Sequence, residues 1–145
     1  MSDGRGETDA KGAKPVGIVL VSHSAEVAAA VAELAKALAG GAASVPVAAA
    51  GGTEGGGMGT SAGLISAAAA SVDRGAGVAV LADLGSAVLT VKALLAEDDE
   101  LPDGTRLVDA PFVEGAVAAV VTAATGAGLD AVEAAATEAY TYRKV

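Results

Sequence analysis

Cysteine is absent from this chain of 145 residues, which excludes a disulfide framework and a thiolate metal site. A single histidine cannot build a multi-histidine metal centre, and no metal or cofactor is expected. Tryptophan is absent too, and the aromatic rings are two Tyr and one Phe. The core must therefore come from Val, Leu, Ile and Ala, whose small side chains allow close helix-on-sheet packing. Cations are scarce: nine Lys and Arg face 18 Asp and Glu, for a formal charge of −9. That balance argues against nucleic acid and against anionic membrane surfaces as partners, and leaves room for a basic protein. No apolar run reaches the roughly 18 residues of a spanning helix, and residues 1–14 lack the apolar centre of a signal peptide. The cytoplasm is the expected location.

What is present centres on one stretch, Gly17-Ile18-Val19-Leu20-Val21-Ser22-His23-Ser24. Val16 to Val21 is apolar at successive positions, the pattern of a strand covered on both faces. The only histidine follows it directly. Ser24 is a good N-cap with Glu26 in the first turn, and Val27, Val31, Leu34 and Leu38 recur at helical spacing to about Ala39. Residues 1–14 read as a flexible lead-in, and 15–145 as one domain.

Further along, Ser44 to Ala49 is a second strand, placed at a sheet edge by Pro46, which cannot donate to a ladder. Ala50 to Gly59 is a glycine loop, and Thr60 or Ser61 caps a helix to Val72. Gly77 to Ala82 is a third buried strand ending at Asp83-Leu84-Gly85-Ser86, with Ser86 as the cap of a helix to Leu95. Thr105 to Ala110 is a fourth strand, Ala116 to Ala124 is apolar on most sides, and a last helix runs from Leu129 or Asp130 to about Tyr140. The glycine loop lacks the Gly-Lys-Ser/Thr of a nucleotide P-loop.

This alternation indicates an α/β fold, doubly wound in three layers, with a mainly parallel sheet. An edge position for strand 2 favours the order 2-1-3-4, in which the winding reverses between strands 1 and 3. Chemistry in such sheets gathers at the carboxyl ends of the strands flanking that point. The residues there are His23 and Asp83, predicted to be neighbours. A carboxylate on one ring nitrogen fixes the tautomer and leaves the other nitrogen's lone pair free, as a nucleophile or a base. Ser22, Ser24, Gly59, Gly85 and Ser86 add hydroxyls and unobstructed amides beside helix N-termini, a cradle for an anion. With no Lys or Arg nearby in sequence, this suggests a transient phosphohistidine. A non-catalytic regulatory α/β domain with a structural His23 is the competing reading.

Three segments, Val19 to Ser24, Ala82 to Ala87 and Ala110-Pro111-Phe112-Val113-Glu114-Gly115, together resemble the DhaM family. These are the phosphocarrier subunits of the phosphotransferase-dependent dihydroxyacetone kinases, similar to mannose-type enzyme IIA domains. The resemblance spans about Pro15 to Tyr140. It implies that His23 accepts a phosphoryl group from HPr and passes it to ADP bound on DhaL, which phosphorylates dihydroxyacetone held by DhaK. It also implies that Asp83 orients the histidine, that Thr60 lies in a Gly-Thr motif lining the site, and that the protein is a homodimer. Some relatives carry fused HPr-like domains; here the donor is expected to be a separate protein. A sugar-transporting enzyme IIA is the alternative within the same resemblance.

Overall fold

The computed structural model describes residues 14–40 and 44–145. In chain order the elements are β1 (Gly17–Ser22), α1 (Ala25–Leu38), β2 (Val47–Gly51), α2 (Ala62–Val72), β3 (Val78–Ala82), α3 (Gly85–Leu95), β4 (Thr105–Leu107), α4 (Phe112–Ala124) and α5 (Leu129–Glu138), followed by a 3₁₀ turn, Ala139–Thr141. The sheet is parallel throughout, ordered β2-β1-β3-β4. The fold class and strand order are those expected from the sequence. Apart from Lys14, the proposed lead-in lies outside the described residues.

Every residue of β1 is buried, because both faces of the central strands are covered. Ile18 and Leu20 pack with Ala79 and Leu81 against α1, α4 and α5. Val19 and Val21 pack with Val78 and Val80 against α2 and α3. Period-two alternation thus feeds two separate cores from one apolar run.

The structure differs from the sequence reading at several boundaries. Pro46 precedes β2 instead of interrupting it, and its carbonyl accepts the Ile18 amide, 2.9 Å away. β4 has three residues where six were expected, although the Val108 amide extends the pairing by donating to the Val80 carbonyl at 2.8 Å. The segment from Phe112 to Gly115 belongs to α4, with Pro111 at its N-cap, where a fixed φ and a missing N–H cost nothing.

In α1 the large apolar residues at helical spacing lie mostly on the outside: Val27, Leu34 and Leu38 are exposed, and only Val31 is buried. The inward face is Ala28, Val31, Ala32 and Ala35. Alanines let α1 lie close to β1 and β2, and larger side chains there would overfill the space.

Candidate functional site

β1 and β3 run side by side, pairing Val21 with Ala82, so their carboxyl ends release His23 and Asp83 at the same level. The Asp83 amide donates to the Val21 carbonyl at 3.0 Å, which fixes the chain just where the two strands end. Nδ1 of His23 lies 3.0 Å from Oδ1 of Asp83. An ionised carboxylate only accepts hydrogen bonds, so this contact places the ring proton on Nδ1 and the lone pair on Nε2. Nε2 meets the Ser86 hydroxyl, which donates to that lone pair. The ring is partly exposed, its side chain retaining 24% of its accessible surface, so another molecule can reach it.

Asp83 is itself held on several sides. Its Oδ2 accepts the Ser22 hydroxyl at 2.8 Å and the His23 amide at 3.1 Å. Its Oδ1 accepts the Leu84 amide at 2.7 Å. Burial pushes this carboxyl up, but the His23 amide, the Ser22 hydroxyl, the His23 ring and the Leu84 amide together outweigh it and hold it below the usual carboxylate value. Asp83 is therefore an anion at neutral pH, as a ring-orienting group must be.

The remaining sequence-selected residues divide into two groups. Gly85 and Ser86 stand in the first turn of α3, where backbone N–H groups lack intrahelical partners, and open space lies over Gly85. Ser86 was expected to cap α3, but the N-cap is Leu84, which makes no side-chain cap bond. Asp83 accepts the Leu84 amide just ahead of the helix, and the Ser86 hydroxyl is left for His23.

The other four spend their polar groups on the scaffold. Ser22 is fully buried beneath the site; its Oγ also accepts the Ser24 amide at 3.0 Å. Ser24 caps α1 by accepting the Val27 amide. The Gly59 amide donates to the His23 carbonyl at 2.9 Å, so it ties the glycine loop to the histidine's own backbone. Thr60 pairs with Thr90 at 3.1 Å, and Thr90 donates in turn to the Ser86 carbonyl. Thr90 escaped the sequence reading, although its place one turn after Ser86 on a helix was a usable signal. Among the described residues there is no grouping of His, Asp and Glu suited to a metal ion, and no helix is long and apolar enough to cross a membrane.

The chemistry this allows is narrow. A nucleophilic imidazole nitrogen sits at a surface, oriented by a carboxylate from behind and bordered by a helix N-terminus. Residues 15–35, 51–60 and 83–91, which build the site, include no Lys or Arg.

Comparison with known proteins shows the family of this chain. The family model described as PTS system fructose IIA component matches residues 17–133. The phosphoryl donor subunit DhaM of PEP-dependent dihydroxyacetone kinase 2 from Listeria innocua serovar 6a is 36% identical over 107 residues, covering 73% of this chain and 84% of that protein. The phosphoryl donor subunit DhaM of Klebsiella michiganensis is 38% identical over 119 residues, covering 81% of this chain but only 25% of that longer relative. Among solved structures, the unknown-function protein EF1359 superposes with a TM-score of 0.77 at 30% identity, over 90% of this chain and 98% of that one.

Proposed function

The chain belongs to the PTS system fructose IIA component family, in company with the DhaM subunits of dihydroxyacetone kinases, and we propose that it is a phosphoryl carrier in which His23 is the carrier residue. The observation that supports this most is the ring's fixed orientation, with Nδ1 on Asp83 and Nε2 toward Ser86 and the surface.

In this reading the lone pair of Nε2 attacks the phosphorus of phosphorylated HPr. The donor's P–N bond breaks, and its imidazole keeps the electron pair. The new N–P bond leaves His23 with positive character, which the Asp83 carboxylate stabilises through Nδ1–H. The Ser86 hydroxyl turns from Nε2 to a phosphoryl oxygen, and the first-turn amides of α3 offer hydrogen bonds to the others. Discharge reverses the step: a β-phosphate oxygen of ADP on DhaL attacks phosphorus, the N–P bond breaks, and the pair returns to Nε2. DhaK then presents dihydroxyacetone to the ATP so formed. Amide dipoles hold the phosphoryl group more weakly than a lysine or arginine ion pair, which suits a group that must leave again.

The further expected partner is a second copy of this chain. Leu34 and Leu38 of α1 with Val113, Val117 and Val121 of α4 and Tyr142 line an apolar groove of about 470 Å³. We assign the homodimer contact to that groove.

The test is mass measurement of the intact protein after incubation with phosphoenolpyruvate, enzyme I and HPr. One phosphoryl group should add to the wild type and none to His23→Ala; acid-labile labelling of the variant would overturn the assignment. Adding DhaL with ADP, DhaK and dihydroxyacetone should discharge the carrier. Discharge to a membrane sugar transporter, with none to DhaL, would move the protein to the sugar-transporting branch.

A further inference from the structure

A serine hydroxyl is a weak nucleophile until a base takes its proton, and a base serves only when its lone pair is aimed at that proton. Both conditions meet at Ser86. Its hydroxyl, in the first turn of α3, is exposed and donates to Nε2 of His23. Nδ1 of the same ring lies 3.0 Å from Oδ1 of Asp83, and the Ser22 hydroxyl and two backbone amides hold that carboxylate in turn. Hydroxyl, imidazole and carboxylate thus form one continuous hydrogen-bonded chain. That arrangement activates a serine toward acyl carbon, and it is recognised by geometry and roles rather than by order in the sequence. The carboxylate and the serine come from the path that leaves β3 and enters α3, and the histidine from the end of β1.

Acyl transfer also needs hydrogen-bond donors where charge develops. The amides of Gly85 and Ser86 stand in the first turn of α3, where no intrahelical partner exists, and among the described residues no acceptor meets either of them. Asp83 takes the Leu84 amide, and the amides of Ala87 and Val88 donate to the Leu84 carbonyl. The free pair is thus confined to the nucleophile and the residue before it. Open space lies over Gly85, room for a short acyl group. A tetrahedral intermediate from an uncharged ester carries one negative charge, which two amides at a positive helix end can stabilise without a side-chain cation.

We propose that Ser86 is a second nucleophile, through which the unphosphorylated protein transfers acyl groups from small uncharged esters to water. As Oγ attacks the carbonyl carbon, its proton passes to Nε2, and the carbonyl π electrons settle on the oxygen facing the amides of Gly85 and Ser86. Asp83 holds Nδ1–H and stabilises the imidazolium. The intermediate collapses, the ester C–O bond breaks, and the departing alkoxide takes the proton from Nε2. A water then attacks the acyl-serine. Nε2 takes the water's proton and returns it to Oγ as the acyl C–O bond breaks, so one ester and one water give one acid and one alcohol. Acyl transfer and phosphoryl carriage draw on the same lone pair. A phosphoryl group on Nε2 removes the base, so loading the carrier switches acyl transfer off. That coupling rests on the carrier reading above; the acyl step itself does not.

The experiment uses p-nitrophenyl acetate. Wild-type protein should release nitrophenolate in a burst approaching roughly one per chain, and peptide masses after an acid quench should place a single acetyl group on Ser86. Ser86→Ala and His23→Gln should each slow nitrophenolate release roughly tenfold or more, with circular dichroism matching the wild type. Phosphoramidate is a small phosphoryl donor; its P–N bond breaks and ammonia leaves as His23 is labelled. Wild-type protein labelled by it beforehand should lose the burst. The acetyl position and this block need no variant, so they decide the matter even where a substitution disturbs the fold. Acetyl on the His23 ring or elsewhere with none on Ser86, a wild-type rate in folded Ser86→Ala, or an undiminished burst in phosphorylated protein would overturn acyl transfer and leave the carrier reading intact. Acetylation of Ser86 in a protein that neither phosphoramidate nor phosphorylated HPr can label would overturn the carrier reading and leave acyl transfer standing.

Discussion

Asp83 shows how one side chain is set up for a single task. Its two oxygens accept the Ser22 hydroxyl and the amides of His23 and Leu84, and Oδ1 faces the ring. A carboxyl held below its ordinary value of 3.8 contributes stability that is present above the unfolded value and lost as pH falls through the lower folded one. Asp83→Asn keeps the shape but removes the charge that sets the tautomer and steadies a positive ring. It should slow labelling by phosphorylated HPr by roughly 10² to 10⁴; a wild-type rate would show that the ring needs no carboxylate. In unfolding experiments the stability gap between wild type and variant should stay level from neutrality to about pH 4 and close only in stronger acid. The His23–Asp83 pairing was legible in the sequence because strand order dictates it. The use of Ser86 was not. A serine beside a helix start reads as a cap, and nothing local reveals that α3 already begins at Gly85, with Ser86 inside its first turn.

At the level of elements, the site depends on how closely β2 lets α1 approach. A Cβ added at Gly51 would lie 2.4 Å from the Ser24 carbonyl oxygen and 2.6 Å from the Ala25 Cα. Backbone atoms on both sides leave nothing flexible to yield. Gly51→Ala should therefore push the start of α1, and with it the turn bearing His23, away from the sheet. The expected cost is about 1–3 kcal/mol in urea unfolding, together with slower labelling of His23 by phosphorylated HPr. Unchanged stability and rate would mean that the α1 N-terminus moves freely. The sequence pattern pointed to α1 and its cap but left its buried face open. Helical spacing selects large apolar residues, yet the inward positions are Ala28, Ala32 and Ala35 beside Val31. Close packing favours methyl groups where two backbones come near each other, and hydrophobic periodicity alone cannot tell such a face from an exposed leucine stripe.

Over the whole molecule, topology was the most legible property. Pro46 pointed to an edge for β2, and although it stands just outside the strand, the order β2-β1-β3-β4 follows. The exposed apolar stripe of α1 bears on assembly. Leu34 and Leu38 of α1 border a groove with Val113 and Val121 of α4 and Tyr142, and these five residues are between 40% and 61% exposed. Contiguous apolar surface of this kind is the sort of patch that the homodimer proposed above would bury. A two-fold dimer needs one patch that matches itself, and two helices lined with aliphatic side chains can interdigitate with their own copies. The Glu114–Lys144 ion pair at one edge gives each protomer both signs of charge there. Light scattering should then return twice the chain mass of 13.7 kDa for the wild type. Leu38→Asp/Val121→Asp would bury two unpaired carboxylates in each half of the interface and should return the single mass. Leu38 closes the opposite end of α1 from His23, so the variant should still be labelled by phosphoramidate. A wild-type monomer at working concentration, or an undisturbed dimer in the double variant, would remove the groove from the assembly.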